Sequence, residues 1–124
     1  MIYYAHSKKI YNTPREKKEL AYLKKKYRNK STIVCPNKDM GELGNIEPYL
    51  KKVRECHTVV CSEYKKHVGR GVFEEISEAL NKGKDVFVLR KGLLGFKLKR
   101  VNNVVWADIN DWKVYYGKVK CQNT

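Results

Sequence analysis

Short apolar runs alternate with segments of helical periodicity over the first ninety residues, and this alternation restricts the fold more than any other feature. The apolar runs cover residues 2–5, 31–35, 57–62 and 85–89. When strands alternate with helices, each helix returns the chain to the starting end of the sheet, so the strands become parallel and the crossovers right-handed. We therefore predict an α/β fold with a Rossmann-like, doubly wound parallel sheet and three helices.

The start of the first helix has the clearest local signal. Thr13 can act as the N-cap, Pro14 fits the first helical position, and Glu16 completes a capping box. Apolar residues at helical spacing define the remaining helices. The three helices are predicted over about 14–28, 45–53 and 71–82.

After residue 91 the pattern changes to three short apolar runs, at residues 96–101, 104–109 and 112–119. Asparagine and aspartate separate these runs, and both residue types favour turns between strands. We therefore predict C-terminal antiparallel β-hairpins.

Length and composition indicate a single domain. A chain of 124 residues with 42% hydrophobic residues can bury one core. We expect one domain over 1–124, with a Rossmann-like core at 1–90 and a hairpin extension at 91–124. No run approaches 18 consecutive apolar residues, so we expect a soluble, cytoplasmic protein that does not contact a membrane.

The cysteine and histidine spacings match no zinc or redox motif. Cys35 and Cys61 lie in apolar runs, where a reduced cysteine packs as a small hydrophobic residue. We expect all four cysteines to be thiols, and we predict no metal site and no cofactor.

The formal net charge of +14 is large for this length. Such a charge attracts nucleotides, nucleic acids and anionic surfaces in general, and it does not choose among them. Lysines on the solvent side of the predicted helices explain the charge equally well. The nine tyrosines fit core packing and also a homodimer interface.

Residues 64–89 join a basic, glycine-containing loop to an amphipathic helix and then to a buried strand. Many α/β proteins use this arrangement to present backbone N–H groups to an anion. Glu75 lies at the border of the apolar helix face, whereas Glu74 and Glu78 point away from it. Glu75 is therefore the carboxylate best placed for a site. The apolar face itself comprises Val72, Ile76, Ala79 and Leu80.

In a doubly wound sheet, ligands bind beyond the carboxyl ends of the strands. Cations at 65–67 and at Arg70 lie in the same region, so we predict a site for an anion such as a nucleotide phosphate. The alternative is that the glycines form only a turn and that Glu75 only stabilises a helix N-terminus. The residues expected to gather there are Ala5, His6, Ser7, Ser62, Glu63, Tyr64, Gly69, Arg70 and Gly71.

Several motifs resemble those of the nucleoside 2-deoxyribosyltransferase-like superfamily, which includes deoxynucleoside monophosphate N-glycosidases. These motifs are the initial I-Y-Y-A strand, the capped helix, the strand H-T-V-V-C-S, and G-V-F-E-E-I-S-E-A ahead of G-K-D-V-F-V-L. The resemblance covers roughly residues 1–90. Its sharpest part is a glutamate followed four positions later by alanine, matched here by Glu75 and Ala79.

The resemblance implies that Glu75 attacks the anomeric carbon of a sugar and forms a glycosyl-enzyme intermediate. Water or another base would then accept the sugar. The resemblance also implies a set of binding residues. Sugar and base contacts are expected at Tyr3, Ala5, His6 and Ser7, and phosphate or sugar-edge contacts at Gly69, Arg70 and Gly71.

The chain departs from the family at one position that affects catalysis. The family usually carries an aspartate at the start of the third strand, where it helps to protonate the leaving base, and this chain has His57 and Thr58 there. His6 or His57 is a candidate substitute, because imidazole titrates near neutrality. The alternative is that catalysis was lost and binding kept.

Three hypotheses follow from the sequence. The first is a nucleotide N-glycosidase or deoxyribosyltransferase-like enzyme, the second a non-catalytic nucleotide-binding or sensing protein of the same fold, and the third a basic nucleic-acid-binding module. The third is supported by charge alone, since no recognisable nucleic-acid-binding motif accompanies it.

Overall fold

The computed structural model describes residues 1–107 and 118–122, and it describes side chains over 1–105. A 3₁₀ turn at Lys8–Ile10 follows the first strand. The elements, in chain order, are β1 (Ile2–Ala5), α1 (Pro14–Lys26), β2 (Ile33–Val34), α2 (Pro36–Asp39), α3 (Glu47–Glu55), β3 (Thr58–Ser62), α4 (Arg70–Asn81), β4 (Asp85–Gly92), β5 (Gly95–Arg100), β6 (Asn103–Ala107) and β7 (Lys118–Gln122).

Five strands form one mixed sheet in the order β2-β1-β3-β4-β5. The first four strands are parallel, and β5 pairs antiparallel with β4. Leu93 and Leu94 form the fully exposed tip of the β4–β5 hairpin. The predictions of an α/β fold and of an antiparallel hairpin after residue 91 are confirmed.

Helices cover both faces of this sheet. Successive residues of a strand point to opposite faces, and β1 divides its large side chains accordingly. Tyr4 packs with Leu23 of α1, whereas Tyr3 packs with Val53 of α3 and Ile76 of α4. The carboxyl end of β1 is therefore surrounded by helix termini.

Helix α1 begins as predicted, but its capping box is only half formed. The Thr13 side chain accepts a hydrogen bond from the Glu16 N–H, and Pro14 occupies the first turn. The Glu16 carboxylate does not return to the Thr13 N–H. It accepts from the Asn12 N–H and from His6 instead, which turns the carboxylate inward.

Two elements differ from the predictions. Pro36 starts a short helix, α2, that is not among the three predicted helices, and the Asp39 side chain accepts from the Cys35 N–H at 2.7 Å. The prediction of antiparallel pairing is wrong for β6 and β7, which pair in parallel. A parallel pair needs a long connection rather than a tight turn. Residues 108–117, including most of the expected run at 112–119, lie outside the described residues.

The cysteine prediction is confirmed where side chains are described. Cys35, Cys56 and Cys61 are buried thiols that are not joined in disulfides, and the Cys121 side chain lies outside the described part. Among the described residues, no helix has the length and apolar character needed to cross a lipid bilayer.

Candidate functional site

A cavity of about 570 Å³ opens beyond the carboxyl ends of β1 and β2. The N-terminus of α4 forms one wall, and the segment 42–46 forms another. Three cations, Lys8, Lys9 and Arg70, stand at its border together with the aromatic side chains of Tyr11 and Tyr49. The cavity therefore combines apolar walls with positive charge.

The structure brings most of the predicted site residues to this cavity. His6, Ser7, Gly69, Arg70, Gly71 and Glu75 line it. Tyr3 and Ala5 are fully buried in the sheet beneath. Ser62 and Tyr64 do not belong to the lining.

Glu75 is the carboxylate of the cavity wall. Its side chain extends from the second turn of α4 and is 93% buried, with a relative exposure of 7%. The Tyr3 hydroxyl donates a hydrogen bond to Glu75 Oε2. Burial raises the pKa of Glu75 to about 8; Glu74 adds to the rise and the Tyr3 hydrogen bond opposes it.

Tyr3 holds Glu75 from below the cavity. Burial raises the pKa of the Tyr3 phenol far above its ordinary value, and the neighbouring carboxylate of Glu75 raises it further. The phenol therefore stays protonated and always presents a donor to Glu75. Since Tyr3 is fully buried, the structure gives it an orienting position rather than the direct ligand contact that was predicted.

Two of the three cations at the cavity are residues that the sequence analysis did not single out. Lys8 and Lys9 follow β1 in a 3₁₀ turn that is capped by the Ser7 side chain, which accepts from the Lys9 N–H. Their location could have been inferred only from knowing that β1 ends at the site. Arg70, the one predicted cation present, has its Nε 3.5 Å from Glu74.

The cations predicted at 65–67 do not line the cavity. Lys65 and Lys66 have positive φ values of 52° and 67°, which create a tight turn between Tyr64 and His67. Lys65 Nζ lies 5.6 Å from the centre of the Tyr64 ring. This turn directs both lysines to solvent beside the site.

Helix α4 presents its N-terminus to the cavity. Gly69 is the N-cap and provides no side-chain hydrogen bond to the first turn. The first N–H groups of a helix lack intrahelical partners and carry a partial positive charge. A Cβ added at Gly71 would meet only Ile46 Cδ1, at 4.0 Å, so the helix start faces open space.

His6 lies at the cavity floor with both ring nitrogens engaged. Nδ1 lies 3.0 Å from the Tyr4 carbonyl oxygen, which can only accept, so Nδ1 carries a proton. Nε2 lies 2.7 Å from Glu16 Oε2. The ring stacks on Tyr4 at 3.9 Å between centroids and meets the edge of Tyr11. These contacts fix the orientation of the imidazole.

Glu16 and Cys35 complete a buried cluster with His6. Their potential ligand atoms all lie within 4.8 Å of one another. Burial acts to raise the pKa of Glu16, but hydrogen bonds from His6 and the Asn12 N–H outweigh it and hold the pKa below its usual value. Burial raises the pKa of the Cys35 thiol to about 11, and Glu16 adds to that rise.

The remaining predicted residues lie outside the cavity. His57 precedes β3 at the amino end of the sheet, where it contacts Ser31 Oγ at 2.8 Å and Thr58 Oγ1 at 2.7 Å. This position is opposite to the cavity, so the expectation that His57 serves as an acid there is wrong.

Ser62, at the carboxyl end of β3, belongs to a polar network with α1. Its hydroxyl donates to Glu19 Oε2 at 2.9 Å and accepts from Arg15 Nη2 at 2.9 Å. Glu63 pairs with Arg90 at 3.2 Å. The prediction that Ser62 and Tyr64 contact the ligand in this cavity is therefore not supported.

The segment after α2 folds over one side of the cavity. Gly41 and Gly44 both have φ of +76°, a conformation that glycine adopts without strain. The Tyr49 hydroxyl donates to the Gly41 carbonyl at 2.6 Å and accepts from the Leu43 N–H at 3.0 Å. This segment thus contributes Glu42, Leu43 and Gly44 to the lining.

Comparison of the chain with protein-family models, with curated proteins and with solved structures finds no match.

Proposed function

We propose that the protein binds a deoxynucleotide in this cavity and cleaves its N-glycosidic bond with Glu75 as the nucleophile. The observation that carries the proposal is the position of Glu75, a buried carboxylate that borders the cavity and is oriented by Tyr3. The resemblance of residues 1–90 to the nucleoside 2-deoxyribosyltransferase-like superfamily supports the same role.

The proposal includes a doubly wound, Rossmann-like arrangement for the first ninety residues. Its support is the parallel order β2-β1-β3-β4 and the packing of α1 on one sheet face and of α3 and α4 on the other. In such sheets the ligand crevice lies beyond the carboxyl ends of the strands, where this cavity is found.

The cations and the start of α4 would hold the phosphate. Lys8, Lys9 and Arg70 are exposed at the cavity border and can reach an anion there. The uncapped N–H groups after Gly69 add donors that point along the helix axis. The aromatic rings of Tyr11 and Tyr49 offer surfaces on which a base can stack.

The reaction would proceed in two displacements. A Glu75 carboxylate oxygen forms a bond to the anomeric carbon while the carbon–nitrogen bond breaks and its electron pair leaves with the base. Water then hydrolyses the glycosyl ester and regenerates the carboxylate. The Tyr3 hydrogen bond engages Oε2, an arrangement consistent with attack through Oε1.

The protonation state of Glu75 limits this reaction. With a pKa of about 8, only about a tenth of the side chain is ionised at pH 7 in the empty site. A positive charge developing on the sugar favours the carboxylate, because opposite charges stabilise each other in a buried site. The nucleophilic form therefore gains stability as the transition state is approached.

His6 is the histidine available to assist the leaving base. It lines the cavity, but Nε2 must first be released from Glu16 before it can donate a proton to a ligand. The Tyr11 hydroxyl is a second donor at the cavity, and burial raises its pKa to about 12, so it stays protonated. Either group would lower the barrier to base departure.

A base-release assay on a panel of deoxynucleoside monophosphates tests the proposal. The wild-type protein is expected to liberate free base, and the variant Glu75→Gln to lose the activity by at least a hundredfold. Glu74→Gln is the matched control, since Glu74 lies on the same helix and outside the cavity lining. Equal rates for the two variants would contradict the role of Glu75.

A second candidate function is nucleotide binding without catalysis. Two observations favour it: the raised pKa keeps Glu75 mostly neutral, and both nitrogens of His6 are engaged. In that case calorimetry would detect nucleotide binding, and no base would be released by the wild-type protein at any pH up to 9.

A further inference from the structure

Three side chains suited to a transition metal meet at the floor of the cavity. His6 comes from the end of β1, Glu16 from the first turn of α1 and Cys35 from the end of β2, and all three are at least 96% buried. We propose that these residues form a Zn²⁺ site, with His6 Nε2, a Glu16 carboxylate oxygen and Cys35 Sγ as ligands. Zn²⁺ takes nitrogen, oxygen and sulfur ligands of these kinds.

His6 already has the orientation of a metal ligand. A ligating histidine usually donates its second ring N–H to a carbonyl or carboxylate, which fixes the ring and leaves the other nitrogen for the metal. Here Nδ1 donates to the Tyr4 carbonyl at 3.0 Å, and the Tyr4 ring stacks on the imidazole. Nε2 therefore faces Glu16 and the centre of the cluster. With an ion bound there, the Tyr11 hydroxyl is the donor that remains to assist the leaving base.

Glu16 is oriented in a similar way. The Asn12 N–H donates to Oε1 at 3.2 Å, which fixes one edge of the carboxylate. Lys38 Nζ lies 3.6 Å from Oε1 and supplies positive charge, and its side chain is half exposed, with a relative exposure of 51%. Because the Lys38 ammonium can move into solvent, a metal ion in the cluster can take its place as the positive charge beside Glu16.

Metal binding would replace two protons, the thiol proton of Cys35 and the His6 Nε2 proton that is donated to Glu16 in the metal-free cluster. Cys35 Sγ donates to the Asn37 side-chain oxygen at 3.1 Å, and the thiol loses its proton to solvent when sulfur binds Zn²⁺. The resulting thiolate and the Glu16 carboxylate balance the two charges of the ion. No net charge is then added to a buried place.

The ligand atoms lie within 4.8 Å of one another, so binding requires them to shift by about 1 Å or less. Ligand atoms about 2.0–2.3 Å from a tetrahedral Zn²⁺ lie about 3.3–3.7 Å apart. The distance between His6 Nε2 and Glu16 Oε2 is 2.7 Å, so these atoms would separate by somewhat less than 1 Å. The side chains of His6 and Glu16 are 0% and 1% exposed, so the protein would enclose the ion.

The sulfur and nitrogen ligands favour Zn²⁺ and Co²⁺ over Mg²⁺ and Ca²⁺, which prefer oxygen. A spectroscopic test follows from this preference. Titration of the full chain with Co²⁺ is expected to produce a thiolate-to-cobalt absorption band in the near ultraviolet that saturates at one ion per chain. Zn²⁺ should abolish the band by displacement, and Mg²⁺ should not.

A matched pair of cysteine variants assigns the band. Cys35→Ser is expected to lose it and to weaken Zn²⁺ binding at least tenfold in equilibrium dialysis. Cys56→Ser is the control, because Cys56 is also buried but belongs to the opposite end of the sheet. Wild-type protein without a thiolate band, or identical bands in the two variants, would overturn the proposal. Absence of the band in the wild-type titration would overturn the proposal even if Cys35→Ser does not fold.

Discussion

The environment of one carboxyl group sets the chemistry available at the cavity. Glu75 is surrounded by protein on most sides, and its pKa rises to about 8 because the charged form is poorly solvated there. Tyr3 compensates in part by donating to Oε2 from beneath. The ionisation of Glu75 therefore affects both the proposed reaction and the free energy of unfolding.

The stability of the protein should fall with pH because of Glu75. Its folded pKa is raised from 4.5 to about 8, so the folded state binds a proton more tightly than the unfolded state between these values. The neutral Glu75 side chain makes its full contribution to the free energy of unfolding below about pH 4.5. That contribution is lost progressively as the pH rises to 8, by roughly 4–5 kcal/mol in total. Glu75→Gln cannot ionise and should lack this contribution.

Urea unfolding between pH 4.5 and pH 9 measures the effect. The free energy of unfolding of Glu75→Gln is expected to exceed that of the wild type increasingly as the pH rises. Glu74→Gln, which changes a half-buried glutamate beside it, should keep most of the wild-type dependence and lose only the part of the Glu75 pKa rise that comes from Glu74. Parallel curves for Glu75→Gln and the wild type would show that Glu75 is not buried as described.

Removal of the Tyr3 hydroxyl should raise the pKa of Glu75 further. In Tyr3→Phe the carboxylate loses its donor, whereas the neutral acid loses less, so the balance shifts to the protonated form. We expect a destabilisation of about 1–3 kcal/mol at pH 9. Carboxyl ¹³C shifts in nuclear magnetic resonance report the pKa directly, and an unchanged or lower value would contradict the assigned hydrogen bond.

At the scale of elements, the start of α4 and the loops around it create the site. The sequence was sufficient to predict α4 and the position of Glu75 at the border of its apolar face, because Val72, Ile76 and Ala79 repeat at helical spacing. It was not sufficient to predict the cavity itself. Lys8, Lys9 and Tyr49 reach it through the ends of β1 and α3, and no local pattern reports which strand ends meet.

The buried cluster illustrates the same limit. His6, Glu16 and Cys35 are separated by 10 and 19 residues, and no metal motif has such spacing. Helix capping predicted that Glu16 would bond to its own helix, but a buried histidine competed successfully for the carboxylate. Long-range pairing of this kind depends on the sheet order, which periodicity cannot specify.

Two glycine substitutions test whether the start of α4 affects nucleotide affinity independently of the stability of the fold. Gly71→Ala places a methyl group toward the cavity without a clash, since the nearest atom is Ile46 Cδ1 at 4.0 Å. We expect its stability to change by less than about 1 kcal/mol, and nucleotide affinity to fall because the methyl group occupies ligand space.

Gly83→Ala is the opposite control, because Gly83 has φ of +71° and lies beyond the C-terminus of α4. Its stability should fall by about 1 kcal/mol or more, with affinity unchanged. Thermal unfolding and calorimetry measure both quantities. A Gly71→Ala protein that binds nucleotides as tightly as the wild type would place the ligand elsewhere.

At the scale of the whole molecule, the net charge of +14 favours anionic ligands of every kind. Only some of the cations lie at the cavity, so an anion bound there interacts with a subset of the total charge. Lys8 and Lys9 border the cavity, whereas Lys65 and Lys66 face solvent beside it. Local and overall electrostatics can therefore be distinguished experimentally.

The double variant Lys8→Ala/Lys9→Ala should bind a nucleoside monophosphate about tenfold or more weakly and bind the corresponding nucleoside almost as the wild type does. Lys65→Ala/Lys66→Ala removes the same total charge and should affect the monophosphate much less. Calorimetry at two salt concentrations measures the difference, because exposed charges are screened by salt. Equal losses in the two variants would indicate attraction by net charge alone.

A covalent intermediate on Glu75 tests the central claim most directly. After incubation with a 2-fluoro-2-deoxyribosyl nucleotide, which slows hydrolysis of the glycosyl ester, peptide mass spectrometry should find the sugar phosphate attached to Glu75. The same experiment on Glu75→Gln should find none, and Glu74→Gln should retain the adduct. Binding of the nucleotide without any adduct on the wild-type protein, or an adduct on another residue, would contradict the account.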